Sequence, residues 1–242
     1  MSQTANVTQY LLPGQAAAPE GPIDMLGMYL MHHGFRRDLD AFVGAVPRTA
    51  IGDRATWAAL EARWKFFAFV LHHHHCAEDV GLWPPLLERV DAAGDTEARM
   101  VLDAMEAEHA EIDPLLQACA DGFARLSRTA DQDAQAALAV RLVGARQSLG
   151  HHLDHEETDA IPLIQQYIDN ELWAELEKKH FSAGYTLGQT LRVLGWVMYR
   201  LPEPAREAMF AQPGVGMFRQ PWKFVIRPWF EKGERRAFGL AN

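Results

Sequence analysis

One pattern constrains this chain more than any other: histidine and glutamate stand inside the apolar stripes of long helical segments. Four segments, residues 23–46, 55–82, 96–127 and 133–166, carry apolar side chains at steps of three and four, the spacing of a core-facing helix surface. The first stripe reads Met28, His32, Phe35, Leu39, Phe42, Val46. The second reads Trp57, Leu60, Trp64, Phe67, Leu71, His74, Glu78, Leu82. The third includes Met105, His109, Ile112 and Phe123, and the fourth Leu142, Leu149, His152, Glu156 and Leu163. The expected architecture is all-α, an up-down four-helix bundle with an additional helical segment at its C-terminal side.

Residues four apart on a helix share a face, with Cβ atoms ~5–6 Å apart, so His74 can converge with Glu78 and His152 with Glu156. The two pairs are echoes of one another. His73-His74-x-x-x-Glu78-Asp79 stands as far before Pro84 as His151-His152-x-x-x-Glu156-Glu157 stands before Pro162. A buried, unpaired carboxylate costs several kcal/mol and ordinarily takes up a proton. Two such groups among four histidines make poor packing, and a divalent cation resolves the conflict by accepting imidazole lone pairs and neutralising the carboxylates. Carboxylates can also bridge two ions. Imidazole with carboxylate and no thiolate disfavours structural zinc and favours five- or six-coordinate iron or manganese.

The rest of the chain narrows the setting. The 242 residues carry a net charge of −9, which argues against nucleic acid or an anionic membrane as the main partner. Cys76 and Cys119 form no disulfide framework and read as small buried hydrophobes. Residues 1–22, punctuated by Pro13, Gly14, Pro19, Gly21 and Pro22, read as a loose arm with no basic start and apolar run. The apolar stretch 187–201 is short and contains Arg192, so no membrane span is expected and the protein is placed in the cytoplasm. The third domain, residues 167–242, holds two further helices, 171–181 and 187–201, then a run rich in proline and aromatics. It is expected to pack on the bundle, residues 23–166, or to form an interface with a second copy or another protein. The second helix is expected to stop before Pro84, and the third to kink at Pro114.

The order His32, then His74-x-x-x-Glu78, then His109, then His152-x-x-x-Glu156, one group per helix, resembles the haemerythrin-like (HHE cation-binding) family. The strings Glu108-His109-x-x-Ile112-Asp113 and His155-Glu156-Glu157 are also similar to it. The resemblance implies two iron ions per chain in an oxo- or hydroxo-bridged centre that meets dioxygen, hydrogen peroxide or nitric oxide. The expected ligands are His32, His74, Glu78, His109, Asp113, His152 and Glu156, with His33, His155, Glu157 and Asp159 as alternates. The oxygen-carrying members have a second histidine one turn after the helix-three histidine, where this chain has Asp113. They also place a carboxylate five residues after the helix-four histidine, here Glu157, whereas the stripe favours Glu156. A ligand set poorer in histidine stabilises ferric iron and turns the expectation from reversible oxygen carriage toward the bacterial haemerythrin-like group and peroxide or nitric oxide chemistry.

His72, His73 and His75 read as solvent-facing or as supporting the ligands, His151 and His180 as surface residues, and the charged run 97–111 as a solvated face. A ligating imidazole needs an acceptor for its other N–H, and Asp79, Asp154 and Glu157 are the candidates. Three functions share these ligands: a redox enzyme that removes peroxide or nitric oxide, a non-catalytic oxygen or nitric oxide store or sensor, and a metal staple for a partner-binding module.

Overall fold

The computed structural model describes residues 6–181 and 183–239, so the expectations for residues 1–5, 182 and 240–242 lie outside the described residues. Regular structure among the described residues is helical, apart from one isolated antiparallel bridge between Val7 and Gly21. The long helices are α1 (Leu26–Ala45), α2 (Arg54–Ala77), α4 (Thr96–Leu126) and α5 (Gln132–His155). Between and after them come α3 (Trp83–Ala93), α6 (Ile161–Tyr167) and α7 (Asn170–Leu176). The remainder are α8 (Leu187–Met198), α9 (Glu203–Ala211), α10 (Arg219–Pro221) and α11 (Arg227–Phe238). None of them is long and apolar enough to cross a membrane.

Local chemistry sets these boundaries. Asp53 accepts from the Thr56 N–H at 3.0 Å and opens α2, Asp95 does the same for Ala98 at the start of α4, and Asp131 for Ala134 at the start of α5. The prolines behave differently from expectation. Pro84 and Pro85 do not end the helical path. A wider π-turn, Glu78–Leu82, follows α2, the Trp83 N–H bonds back to the Glu78 carbonyl, and the prolines sit in the first turn of α3. That turn needs no N–H donors from them, so they open a helix at little cost. The same sequence of events recurs at Glu156–Ala160, where the Ile161 N–H reaches the Glu156 carbonyl and Pro162 opens α6. Pro114 lies within α4, which continues to Leu126.

The chain divides into two compact units. The first comprises residues 1–33, 70–113 and 148–185, the second 34–69, 114–147 and 186–242. In the first unit the segment before α1 is tied down where the sequence suggests a loose arm. Gln9 Nε2 donates to the Ile23 carbonyl at 2.7 Å, Gln165 exchanges two hydrogen bonds with the Ile23 backbone, and Leu12 is buried. Gly81, in the first π-turn, lies so close to the His180 ring that an added Cβ would stand 2.4 Å from its Cγ. His180 is therefore a packing residue, not a free surface histidine.

The second unit has an aromatic core. Phe42 packs on Trp64, Phe123 and Phe238 with ring centroids 5.1, 5.4 and 5.1 Å away, and Phe35 on Trp196 at 5.3 Å. Edge and tilted contacts of this kind add roughly 0.5–1.5 kcal/mol per pair beyond burial. Gly34 makes room for Trp196, whose ring would meet a Cβ there at 2.6 Å. Within this core Asp38 accepts from Trp196 Nε1 and Arg63 Nη2, each at 2.7 Å, and from Arg37 at 3.1 Å. Arg63 also donates to Glu234 at 2.5 Å. Burial opposes the Arg63 charge, and the Asp38 and Glu234 carboxylates outweigh it. Burial raises the Glu234 pKa, and Arg63 offsets this only in part.

Removing one member of such a buried network leaves its partners charged and dry. Asp38→Ala is expected to cost about 3–5 kcal/mol, read as a lowered urea midpoint against the parent chain; an unchanged midpoint would show the network to be energetically idle.

Candidate metal centre

Four helices bring the chemistry-bearing side chains together in the first unit. α1 contributes His32. α2 contributes the adjacent His74 and His75, and Glu78 opens the π-turn that follows. α4 contributes His109. α5 contributes His152, with Glu156 opening the second π-turn. Both glutamates thus stand at the first residue of a widened turn, a feature common at functional sites because it re-aims one side chain without breaking the helix.

The donor atoms form two groups, each with its atoms within 4.8 Å of one another. One holds His32, His74, Glu78 and Glu156; the other holds His75, His109 and His152. All seven residues are buried. In the first group His32 Nε2 stands 3.1 Å from Glu156 Oε2, and His74 Nε2 stands 3.0 Å from Glu78 Oε1. In the second, His109 Nε2 and His152 Nε2 face each other at 3.1 Å, and the His75 and His109 rings stack at 3.9 Å. Glu78 joins the groups, its Oε2 lying 3.6 Å from His109 Nε2.

The outward nitrogens are spoken for. His32 Nδ1 bonds Glu157 at 2.8 Å, His109 Nδ1 bonds Asp79 at 2.8 Å, and His152 Nδ1 bonds Glu108 at 2.9 Å. An N–H given to a carboxylate on one side of the ring leaves a lone pair on Nε2 at the other side, aimed inward. Inward, several donor atoms lack a hydrogen-bond partner among the described residues. His32 Nε2, His75 Nε2 and all four carboxylate oxygens of Glu78 and Glu156 are buried without a hydrogen bond from the described residues. Such atoms are costly unless something neutralises them.

The electrostatics show the same strain. Burial disfavours a charged His32, but Glu156 and Glu157 outweigh it and hold its pKa up at about 10. Burial, aided by His32, drives His74 down to about 3. Burial and then the neighbouring His109 push His75 well below the ordinary imidazole value. Glu78 is raised well above the carboxylate range by burial and by Glu156. These opposed shifts mark a cluster whose buried charges the protein alone leaves unbalanced. Cations would balance them, and a donor set of imidazole and carboxylate without thiolate fits ions such as iron or manganese.

The structure unites six of the seven residues expected from the sequence. The seventh, Asp113, is exposed and belongs to neither group. His75, taken above as solvent-facing or supporting, is instead 5% exposed and completes the second group. The two groups together hold five imidazoles and two carboxylates, one imidazole more than the sequence reading expected. Glu108, read as part of a solvated face, is corrected, since it bonds both His152 and His155. Glu157 and Asp79 take the accepting positions foreseen for them. His33 lies against the Pro13 carbonyl at 3.3 Å, and Asp159 is exposed.

A family model described as Hemerythrin HHE cation binding domain matches residues 27–164, a span that contains every member of both groups. No curated protein and no solved structure matches the chain.

Carboxylates that orient ligating imidazoles typically contribute 10–100-fold in metal affinity. Glu157→Ala is therefore expected to weaken metal binding by roughly that factor, measured by competition with a chromogenic chelator. Equal affinity in the variant would mean that His32 needs no such support.

Proposed function

Because the chain belongs to the hemerythrin HHE cation binding domain family, we propose that its two donor groups hold a pair of iron ions and that the protein removes hydrogen peroxide or nitric oxide. The observation that carries this reading is the side-by-side placement of the groups, with one Glu78 oxygen on each. A pair of iron ions supplies redox chemistry toward small oxygen and nitrogen species.

The remaining steps belong to the protein. Glu157, Asp79 and Glu108 fix the rings of His32, His109 and His152, so the inward nitrogens are held in place before any ion or substrate arrives. Tyr29 lies one helical turn before His32, fully buried, with a hydroxyl that has no hydrogen-bond partner among the described residues. Burial, then Glu157 and Glu156, raise its pKa, so it keeps its proton and can donate a hydrogen bond to a small polar guest. Phe181, its ring 6.3 Å from that of His74, limits water on that side. Proton traffic has a route outward. Asp79, 36% exposed, holds His109, and Glu108 links His152 to the half-buried His155.

One observation favours a second reading. The histidine-rich donor set created by His75 suits reversible binding of dioxygen or nitric oxide, with the protein as store or sensor.

Iron-loaded protein is expected to contain two iron atoms per chain, to absorb in the oxo-to-iron region, and to release oxygen from peroxide or consume nitric oxide over many turnovers. His75→Ala should lower the iron content toward one per chain. A stable, reversible optical change with dioxygen and no turnover would transfer the assignment to the second reading. Iron content below one per chain in the parent protein would remove both.

A further inference from the structure

The charge of the chain is unevenly distributed. Against a net −9 overall, residues 186–242 carry nine lysines and arginines and only four glutamates. Part of that excess surrounds a cavity of about 530 Å³ in the second unit, formed between α2, α8 and α11. This volume falls in the range of small-molecule sites. None of its residues belongs to the metal-ligand groups.

The walls are of two kinds. Ala58, Ala59 and Ala62 form an apolar shelf on α2 in a lining that also holds Phe230 and Trp229, the latter 54% exposed. Four cations stand in the same lining: Arg63, Arg192, Lys232 and Arg236. Its one carboxylate, Glu234, is bonded to Arg63. Arg192, Lys232 and Arg236 have no ion pair with any described residue, and the Arg192 guanidinium lies over the Phe66 ring at 4.0 Å. Arg63 is 5% exposed, and its Nη1 is buried with no hydrogen-bond partner. Burial and then Arg63 press the Arg192 pKa down, with Glu234 offsetting them in part, so the cation lacks the anion its setting calls for. Cations gathered in an apolar cleft concentrate anions from solution, and arginine suits the planar carboxylate or the sulfonate and phosphate groups.

We propose that this cavity is a binding site for an organic anion with an apolar, ring-sized body, the body lying on the alanine shelf beside Trp229 and the acid group meeting Arg192, Lys232 and Arg236. The apolar part accounts for the shelf and the exposed indole. The acid accounts for three cations left without an ion pair among the described residues, in a chain rich in carboxylates. This site is independent of the metal reading above.

The test uses the full chain and two fluorescent probes that share a body, 8-anilinonaphthalene-1-sulfonate and its uncharged counterpart N-phenyl-1-naphthylamine. The sulfonate is expected to saturate at one per chain and to bind at least tenfold more tightly than the neutral probe. Arg192→Glu should weaken it at least tenfold while the far-ultraviolet circular dichroism stays unchanged, and Ala62→Trp, which fills the shelf, should abolish it. Lys232→Glu and Arg236→Glu change exposed positions and carry the same test if Arg192→Glu fails to fold. Equal affinity for the two probes, unchanged sulfonate binding in the charge-reversed variants, or one probe per two chains would overturn the proposal.

Discussion

Everything in the first unit turns on the burial of two glutamates among five imidazoles. Taking a carboxylate out of water costs several kcal/mol even after relaxation, and Glu78 and Glu156 are both fully buried with their oxygens unbonded. Hydrophobic packing cannot recover that cost, because the groups face one another and not a wall. The side chains around them are arranged to make the cost recoverable by a cation. Imidazoles are locked from behind by Glu157, Asp79 and Glu108, and their inner nitrogens converge. A cation bound there would couple its binding to the folding of this unit. In the second unit Arg37, Asp38, Arg63 and Glu234 pair with one another, and the core is aromatic.

Much of this was legible in the sequence because the helical period leaves little freedom. Every residue of the α2 stripe from Trp57 to Leu82 is buried. His74 with Glu78 and His152 with Glu156 were readable as pairs because side chains four apart must meet. His75 was hidden by the same rule. A stripe takes one residue per turn, whereas α2 buries two neighbouring histidines, one in each donor group. Glu108 escaped notice because a carboxylate in a charged run looks solvated until the opposite helix is known. The uneven charge of residues 186–242 was present in the sequence but disappears in a whole-chain total.

The prolines show how local rules and site geometry were settled together. Sequence rules place a helix end before Pro84, and the extra residue of a π-turn is what allows the path to continue. The turn opens at the glutamate in both copies, so the device that accommodates the proline also sets the direction of the carboxylate. The repeated interval between histidine and proline is therefore one structural element used twice.

The Ala16 N–H bonds Glu157 at 2.7 Å across 141 positions of sequence, and the same carboxylate holds His32. Contacts of such separation form late, because a long loop must close before they stabilise anything. On a ribosome, α1 emerges with its histidine unsupported and waits until the whole of α5 has been made. Through most of its synthesis the nascent chain thus holds only fragments of the donor cluster, which is complete once the turn after the fifth helix has been made.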